Sequence, residues 1–282
     1  RIVNKRVLQG LTLAGGLDSF KGTRSQNYAV VEEALSFGSK FQSAKDSHSD
    51  SLFGDIDDSF NVTEPDLPNV SAWDTKQRLT KEREMLGFYL SDHPLSKFER
   101  EYRSFATIHL GEPDTFEGKE YVVAVGVING FRTKMDRSNR NMAFFKLDDL
   151  TGSCECLMFS KNYQDYSECL IEESTVLVKG KIESSGDTIK LHVEEAYDLN
   201  DAKTKFTQKL LLYTEYDKHD EETVVKLKEV LENYSGSTPV YLCVKQNGSV
   251  REFYLDYKVK ISNEMISKLT DLLGENGIRY LT

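Results

Sequence analysis

The chain has 282 residues, enough for two or three domains, and its 36 Lys and Arg against 46 Asp and Glu leave a net charge of −10. That balance excludes a bulk DNA binder, so any nucleic-acid contact has to be local. The hydrophobic share of 39% points to exposed linkers beside real cores, no apolar run approaches the ~18 residues of a membrane span, and no signal peptide is visible. The chain begins at Arg1 and not at Met, and is expected to be a piece of something longer.

In chain order, residues 4–13 read as a helix with Val7, Leu8 and Leu11 on one side. Ala14-Gly15-Gly16-Leu17-Asp18 breaks it, and 26–37 is a second helix with Val30, Val31, Ala34 and Leu35 apolar. Helix, glycine-rich turn, helix outlines a helix-hairpin-helix over residues 1–42. Backbone amides at Gly15 and Gly16 could hold a phosphate there without a basic side chain. The competing reading is that one of these glycines simply caps the first helix.

Residues 43–70 read as a linker, with seven acidic residues from Asp46 to Asp66 against the single base Lys45. Such a segment cannot bury enough apolar area to fold alone. The apolar pair Leu52-Phe53 inside it suggests either a short motif for a partner's pocket or a fold-back onto the helical domain. A helical connector follows over 71–118. Its long helix, 73–91, has Asp74 and Gln77 spaced for a capping box, Leu79 and Leu86 on one face, and Pro94 as its stop. His93 is read as a turn residue, since no carboxylate or nucleophile partner is evident. A helix over 95–102 and the loop Gly111-Glu112-Pro113 lead on.

Residues 119–200 carry the clearest pattern. A strand over 121–128 precedes a basic, turn-rich loop over 135–141. In 142–148, Ala143, Phe145 and Leu147 fall on one face and Met142, Phe144, Lys146 and Asp148 on the other, the alternation of a half-buried strand. A third strand covers 154–159, a short helix 161–170, and strands 175–182 and 188–193 meet at Gly186-Asp187, suited to a tight hairpin. Three strands, a helix and two strands is the order of a five-stranded Greek-key barrel, the OB-fold.

Charge is uneven along the barrel. Residues 132–146 hold five bases, Arg132, Lys134, Arg137, Arg140 and Lys146, and one acid, Asp136; the rest of 121–198 has four bases and twelve acids. Phe144 and Met142 share the outer face with Lys146. An exposed aromatic beside cations can stack a base and meet a phosphate, which holds single strands without reading sequence. These seven residues, Arg132, Lys134, Arg137, Arg140, Met142, Phe144 and Lys146, are the candidate nucleic-acid site. A solvated hairpin loop is the plainer reading of the charges, and a buried Phe144 would favour a purely architectural barrel.

The last segment, 201–282, reads as strand 208–213, helix 221–234, strands 239–244 and 250–254 across Asn247-Gly248, helix 262–273 and strand 278–281. This small α+β domain offers no catalytic constellation and suits packing or docking. Cys154, Cys156, Cys169 and Cys243 lack zinc-site spacing and read as reduced thiols of a cytoplasmic protein.

Together these pieces resemble a family. Lys5-Arg6-Val7-Leu8 through Leu13-Ala14-Gly15-Gly16-Leu17-Asp18 looks like the second helix-hairpin-helix segment of bacterial DNA polymerase III alpha subunits. Glu84-Met85-Leu86-Gly87-Phe88-Tyr89-Leu90-Ser91-Asp92-His93-Pro94-Leu95 is similar to the signature before that family's OB-fold, with Asp92 replacing a usual Gly. Met142 through Asp148-Asp149-Leu150-Thr151-Gly152 resembles its second barrel strand and turn. The resemblance implies a multidomain α+β fragment, the C-terminal, non-catalytic part of a replicative polymerase. The catalytic carboxylates would lie upstream, so the fragment needs no cofactor while the parent polymerase would need Mg. It also implies a sliding-clamp (beta subunit) peptide of the form Gln-x-(Asp or Ser)-Leu-Phe. Ser51, Leu52 and Phe53 match it, and Ser49 replaces the Gln. Expected partners are a single-stranded DNA template, the clamp and the clamp-loader tau subunit, with no membrane. The alternative is the OB-fold region of a tRNA-handling enzyme such as an aminoacyl-tRNA synthetase, which would prefer a structured RNA loop.

Overall fold

The computed structural model describes residues 3–49, 63–185, 188–215, 221–246 and 249–282. Ser51, Leu52 and Phe53 lie outside the described residues. The chain divides into two compact units, Arg1–Pro94 and Leu95–Thr282, so the expected connector is shared between them.

In the first unit α1 spans Lys5–Leu13, with the Asn4 side chain accepting from the Val7 amide at its start. α2 spans Arg24–Ala29 behind a Thr23/Gln26 capping box, and α3 spans Val31–Ser49. The single helix expected over 26–37 is therefore two, interrupted at Val30, where the amide still closes onto the Gln26 carbonyl. α3 also runs into the expected linker: acidic composition limits burial but does not prevent a helix. α4, Thr75–Leu86, starts on the expected Asp74/Gln77 capping box. It ends at Gly87, whose φ of +86° suits only glycine cheaply, so the stop lies upstream of Pro94.

Glu82 of α4 is fully buried. One carboxylate oxygen accepts from the Leu90 and Ser91 amides, both at 2.6 Å. The other accepts from the Ser91 hydroxyl and from Arg24 Nη1 at 2.9 Å. The chain beyond Gly87 is thus folded back onto α4. Burial alone would raise the Glu82 pKa, but the donors from Ser91, Arg24 and Leu90 outweigh it and hold the group at about 2.

In the second unit α5, Glu99–Phe105, precedes the barrel. Its elements are β1 Tyr121–Met135, β2 Asn141–Asp148, β3 Ser153–Met158, α6 Ser160–Tyr166, β4 Thr175–Ser185 and β5 Thr188–Asp198. The strands close in the order β1-β2-β3-β5-β4, with β3 and β5 parallel and the other pairs antiparallel. This is the expected OB-fold. β1 runs past the expected 128 because a bulge between Asn129 and Arg132 bends it: residues 121–127 pair with β4, and 127–135 pair with β2. Gly130 takes φ +61° in the bulge, and the Glu172 carboxylate accepts from the Gly130 and Phe131 amides.

An unforeseen helix α7, Leu199–Phe206, leads to β6 Lys209–Glu215, α8 Glu221–Asn233, β7 Ser235–Gln246, β8 Ser249–Val259, α9 Asn263–Leu273 and β9 Ile278–Leu281. The sheet order is β8-β7-β6-β9. β7 and β8 outrun the expected strands because backbone pairing, not hydrophobicity, sets their ends. Leu227 and Leu231 of α8 and Met265 and Leu269 of α9 share a core with Leu210, Leu212, Val240 and Ile278 of the sheet. Val125, Val127 and Leu177 of the barrel belong to that same core. The expected barrel and C-terminal domains are therefore one packed unit.

Asp149, buried in the β2–β3 turn, accepts five hydrogen bonds. Its Oδ1 takes the Thr151 amide at 2.7 Å, the Thr151 hydroxyl at 2.8 Å and the Gly152 amide at 2.7 Å. Its Oδ2 takes the Leu110 amide at 2.8 Å and the Tyr102 hydroxyl at 3.0 Å. Since Tyr102 has one proton to give, His109 Nδ1, 2.6 Å from the same oxygen, must be the protonated nitrogen.

Two consequences are testable. Asp149→Ala leaves several buried donors unpaired, and urea unfolding followed by circular dichroism should show a loss of about 3–5 kcal/mol. Glu82 has its folded pKa, about 2, below the ordinary 4.5. Its stabilisation is present above 4.5 and lost as pH falls toward 2. Urea midpoints read from Trp73, the one tryptophan, should fall over that window, and Glu82→Gln should flatten the slope there.

Candidate nucleic-acid interface

The alternation in β2 is realised. Ala143, Phe145 and Leu147 are buried, Phe144 and Met142 are half-buried, and Lys146 is exposed. Cross-strand register builds the outer face. Arg132 of β1 lies opposite Phe144 and Lys134 opposite Met142. The Arg132 guanidinium sits 5.9 Å from the Phe144 ring centroid, a cation over an aromatic face. Phe144 is therefore neither a core residue nor a bare one: one side packs under Arg132, and part of the ring remains open.

The row continues across the barrel. Phe144 lies opposite Leu157 of β3, and Leu157 opposite His192 of β5. Phe159, just beyond β3, is 51% exposed and stacks on His192 at 5.8 Å with planes 19° apart. A second row runs Lys146, Glu155, Lys190, so a carboxylate stands between two lysines. Glu183 lies 3.0 Å from His192 Nε2.

Asp136 organises the β1–β2 loop. It accepts from the Ser138 and Arg140 amides at 2.7 and 3.0 Å, from Arg140 Nε at 3.1 Å and from the Ser160 hydroxyl at 2.6 Å. The Ser160 hydroxyl, then the loop amides and the Arg140 charge, bring its carboxyl down to about 2. Asn139 takes φ +54° to complete the turn. Arg140 is thereby committed to its own loop, while Arg137 stands exposed at the tip.

The structure thus gathers Arg132, Lys134, Met142, Phe144 and Lys146 on one outer face. It sets Arg137 at the edge and pairs Arg140, whose side chain stays 52% exposed, with Asp136. Sequence reasoning missed Phe159 and His192. The parity that places Glu155 and Leu157 outward also carries Phe159 outward, which was a usable signal. His192 had none, because it reaches the site through a parallel pairing between strands distant in sequence.

The other nominated site lies in the first unit. The Gly15 and Gly16 amides donate to the Thr12 and Leu11 carbonyls at 3.1 and 2.8 Å, capping α1. An anion would have to compete with those bonds. Gly15 has φ +81°, and a Cβ there would fall 2.2 Å from Arg24 Nη2, which pairs with Asp18. Among the described residues no three His, Cys, Asp or Glu side chains form a group that could hold a metal ion. No described helix is long and apolar enough to cross a membrane.

With this geometry in place, relatives are informative. A family model described as OB-fold nucleic acid binding domain, named for the tRNA anticodon, matches residues 122–199. The DNA polymerase III subunit alpha of Saccharopolyspora erythraea is 32% identical over 289 residues, covering 96% of this chain and 24% of that protein. The subunit of Vibrio cholerae is 26% identical, covering 98% of this chain and 24% of that protein. Among solved structures, a mitochondrial single-stranded DNA binding protein from S. cerevisiae aligns with 27% of this chain and 90% of its own, at 14% identity and a TM-score of 0.23. Along nearly its whole length the chain belongs with the bacterial DNA polymerase III alpha subunits, as a segment equivalent to 24% of the relatives it matches.

Proposed function

We propose that this segment is the C-terminal, non-catalytic part of a replicative polymerase alpha subunit, and that its barrel holds the single-stranded template. The observation that carries the reading is the half-open Phe144 ring capped by Arg132, on a face flanked by Lys134, Lys146 and Arg137. Bases stack on the ring, and the cations meet the phosphates on either side. Phe159 on His192 offers a second exposed ring further along the same surface. Stacking of this kind reads no sequence, as suits a template of any composition. Nucleotidyl transfer and its Mg would reside in the remainder of the polymerase, in the cytoplasm.

The linker adds a tether. Ser51, Leu52 and Phe53 supply most of a sliding-clamp peptide, a reading that rests on sequence alone, and the clamp-loader tau subunit is a further expected partner. The tRNA-handling alternative accounts for the barrel but not for relatives aligned along 96% of the chain.

Two measurements test this. Phe144→Ala with Arg137→Ala should weaken binding to oligothymidylate at low salt by about tenfold and flatten the slope of log affinity against log salt by ~0.7. Unchanged affinity would sink the barrel reading, and tighter binding to an RNA hairpin loop than to single-stranded DNA would turn it to the tRNA alternative. Leu52→Ala with Phe53→Ala should abolish binding to the clamp in surface plasmon resonance; retained binding would place the tether elsewhere.

A further inference from the structure

A cavity of 660 Å³ opens between α5 with the turn before it, Ser96–Phe98, and the strands β6 and β9. The first turn of α9 reaches it through Asn263 and Ile266. That is room for a ligand of metabolite size. Among the described residues, none from the barrel's outer face lines it. Its charges do not cancel. Arg100 pairs with Glu275 and Arg103 with Glu99. Lys97, Lys203 and Arg279 then stand against the one remaining lining carboxylate, Glu101.

Three donors in this lining lack an acceptor that matches them. Lys203 is 6% exposed, and its ammonium donates to the neutral Asn263 side chain. Among the described residues no carboxylate pairs with it, and Glu264, the acid of the same helix turn, is held by Lys268 at 2.9 Å. Asn263 begins α9, so this buried cation also sits at the positive end of a helix. Arg100 gives Nη2 to the Thr270 hydroxyl and the Glu275 carboxylate, both at 3.0 Å, but its buried Nε has no partner among the described residues. The Tyr280 hydroxyl, on a residue 3% exposed, makes no hydrogen bond either. Its ring is stacked on Phe105 at 5.7 Å with planes 9° apart, which holds it in place. Burial, then the charge of Glu101, pushes the phenol up; Glu101 is thus close enough to keep it protonated but not placed to accept its hydrogen bond.

Buried donors without acceptors cost stability unless a ligand or water supplies the acceptor. A water would satisfy the hydroxyl or Arg100 Nε, but it carries no charge to offset Lys203. An oxyanion does both. We propose that this cavity binds a small organic anion, whose phosphate or carboxylate oxygens are taken by Lys203, Arg100 and the Tyr280 hydroxyl while its body lies along Leu211, Tyr213 and Arg279. The site is separate from the strand-holding face and does not rest on that reading.

The test is isothermal titration calorimetry of the 282-residue chain in chloride buffer, with inorganic phosphate, thymidine 5′-monophosphate and benzoate in separate runs. At least one should bind with a Kd below ~1 mM: the first two if the site takes a phosphate, benzoate if it takes a carboxylate. Lys203→Met, which keeps the apolar stem, should weaken that binding by about tenfold and Tyr280→Phe by about threefold. Phe144→Ala should leave it unchanged. Without ligand, Tyr280→Phe should keep the parent's urea midpoint or exceed it, because it removes a donor that has no acceptor in the fold. No heat from any probe up to ~10 mM, parent affinity in both cavity variants, or a midpoint lowered by Tyr280→Phe overturns the proposal. So does binding that is lost in Phe144→Ala and kept in Lys203→Met, which would assign the anion to the barrel.

Discussion

The second unit depends on one buried carboxylate. Asp149 gathers the donors of its own turn on one oxygen and reaches with the other to Leu110 and Tyr102, on the segment that leads into β1. A neutral side chain could not accept all five bonds, and a longer one would not fit. The backbones it joins nearly touch: a Cβ at Gly111 would fall 2.1 Å from the Thr151 carbonyl oxygen, and one at Gly152 2.7 Å from the Gly111 Cα. Asp149, Thr151, Gly152 and Gly111 therefore form a single constraint. It fixes the end of β2, and through the pleat it fixes which residues of β2 face outward.

The bulge in β1 is the second constraint. Before it, the even residues Val122, Ala124 and Ile128 fill the barrel, while Val125 and Val127 face the core shared with the second sheet. Beyond it the parity is reversed: Phe131 packs inward, and Arg132 and Lys134 stand over Phe144 and Met142. An unbroken β1 would aim Arg132 and Lys134 into the barrel, where no buried charge is tolerated without a partner. The cationic face thus exists because Gly130 adopts a left-handed backbone and Glu172 satisfies the two amides exposed by the bend.

Local signals were legible, and non-local ones were not. Period-two alternation placed Phe144 correctly, and Asp74 with Gln77 marked the start of α4, because both patterns lie within a few residues. The order of elements named the barrel. Gly87 was passed over for Pro94 because a proline forbids the helix outright, whereas a glycine ends it only when the following chain is held, here by Glu82. Arg140 was counted with the free cations because its pairing with Asp136 requires the loop geometry. His192 reached the face through the parallel β3–β5 pair, and α7 was lost among polar residues that bury only Leu199, Ala202 and Lys203.

Acidic residues lie within the proposed strand-binding surface as well as around it. Glu155 stands between Lys146 and Lys190, Glu183 beside His192, and Asp136 beneath the loop. Each lowers the local potential, so in the proposed binding mode the grip depends on stacking as much as on charge, and few net phosphate contacts give a shallow dependence on salt. A site that must release its strand at every advance gains from such a balance: tight phosphate clamps would slow movement, while rings hold any base equally. What a weak grip lacks in affinity the proposed tether would restore, since holding the barrel near the strand raises its effective concentration without adding a contact. The acidity that first argued against nucleic acid therefore fits the proposed surface for a moving strand.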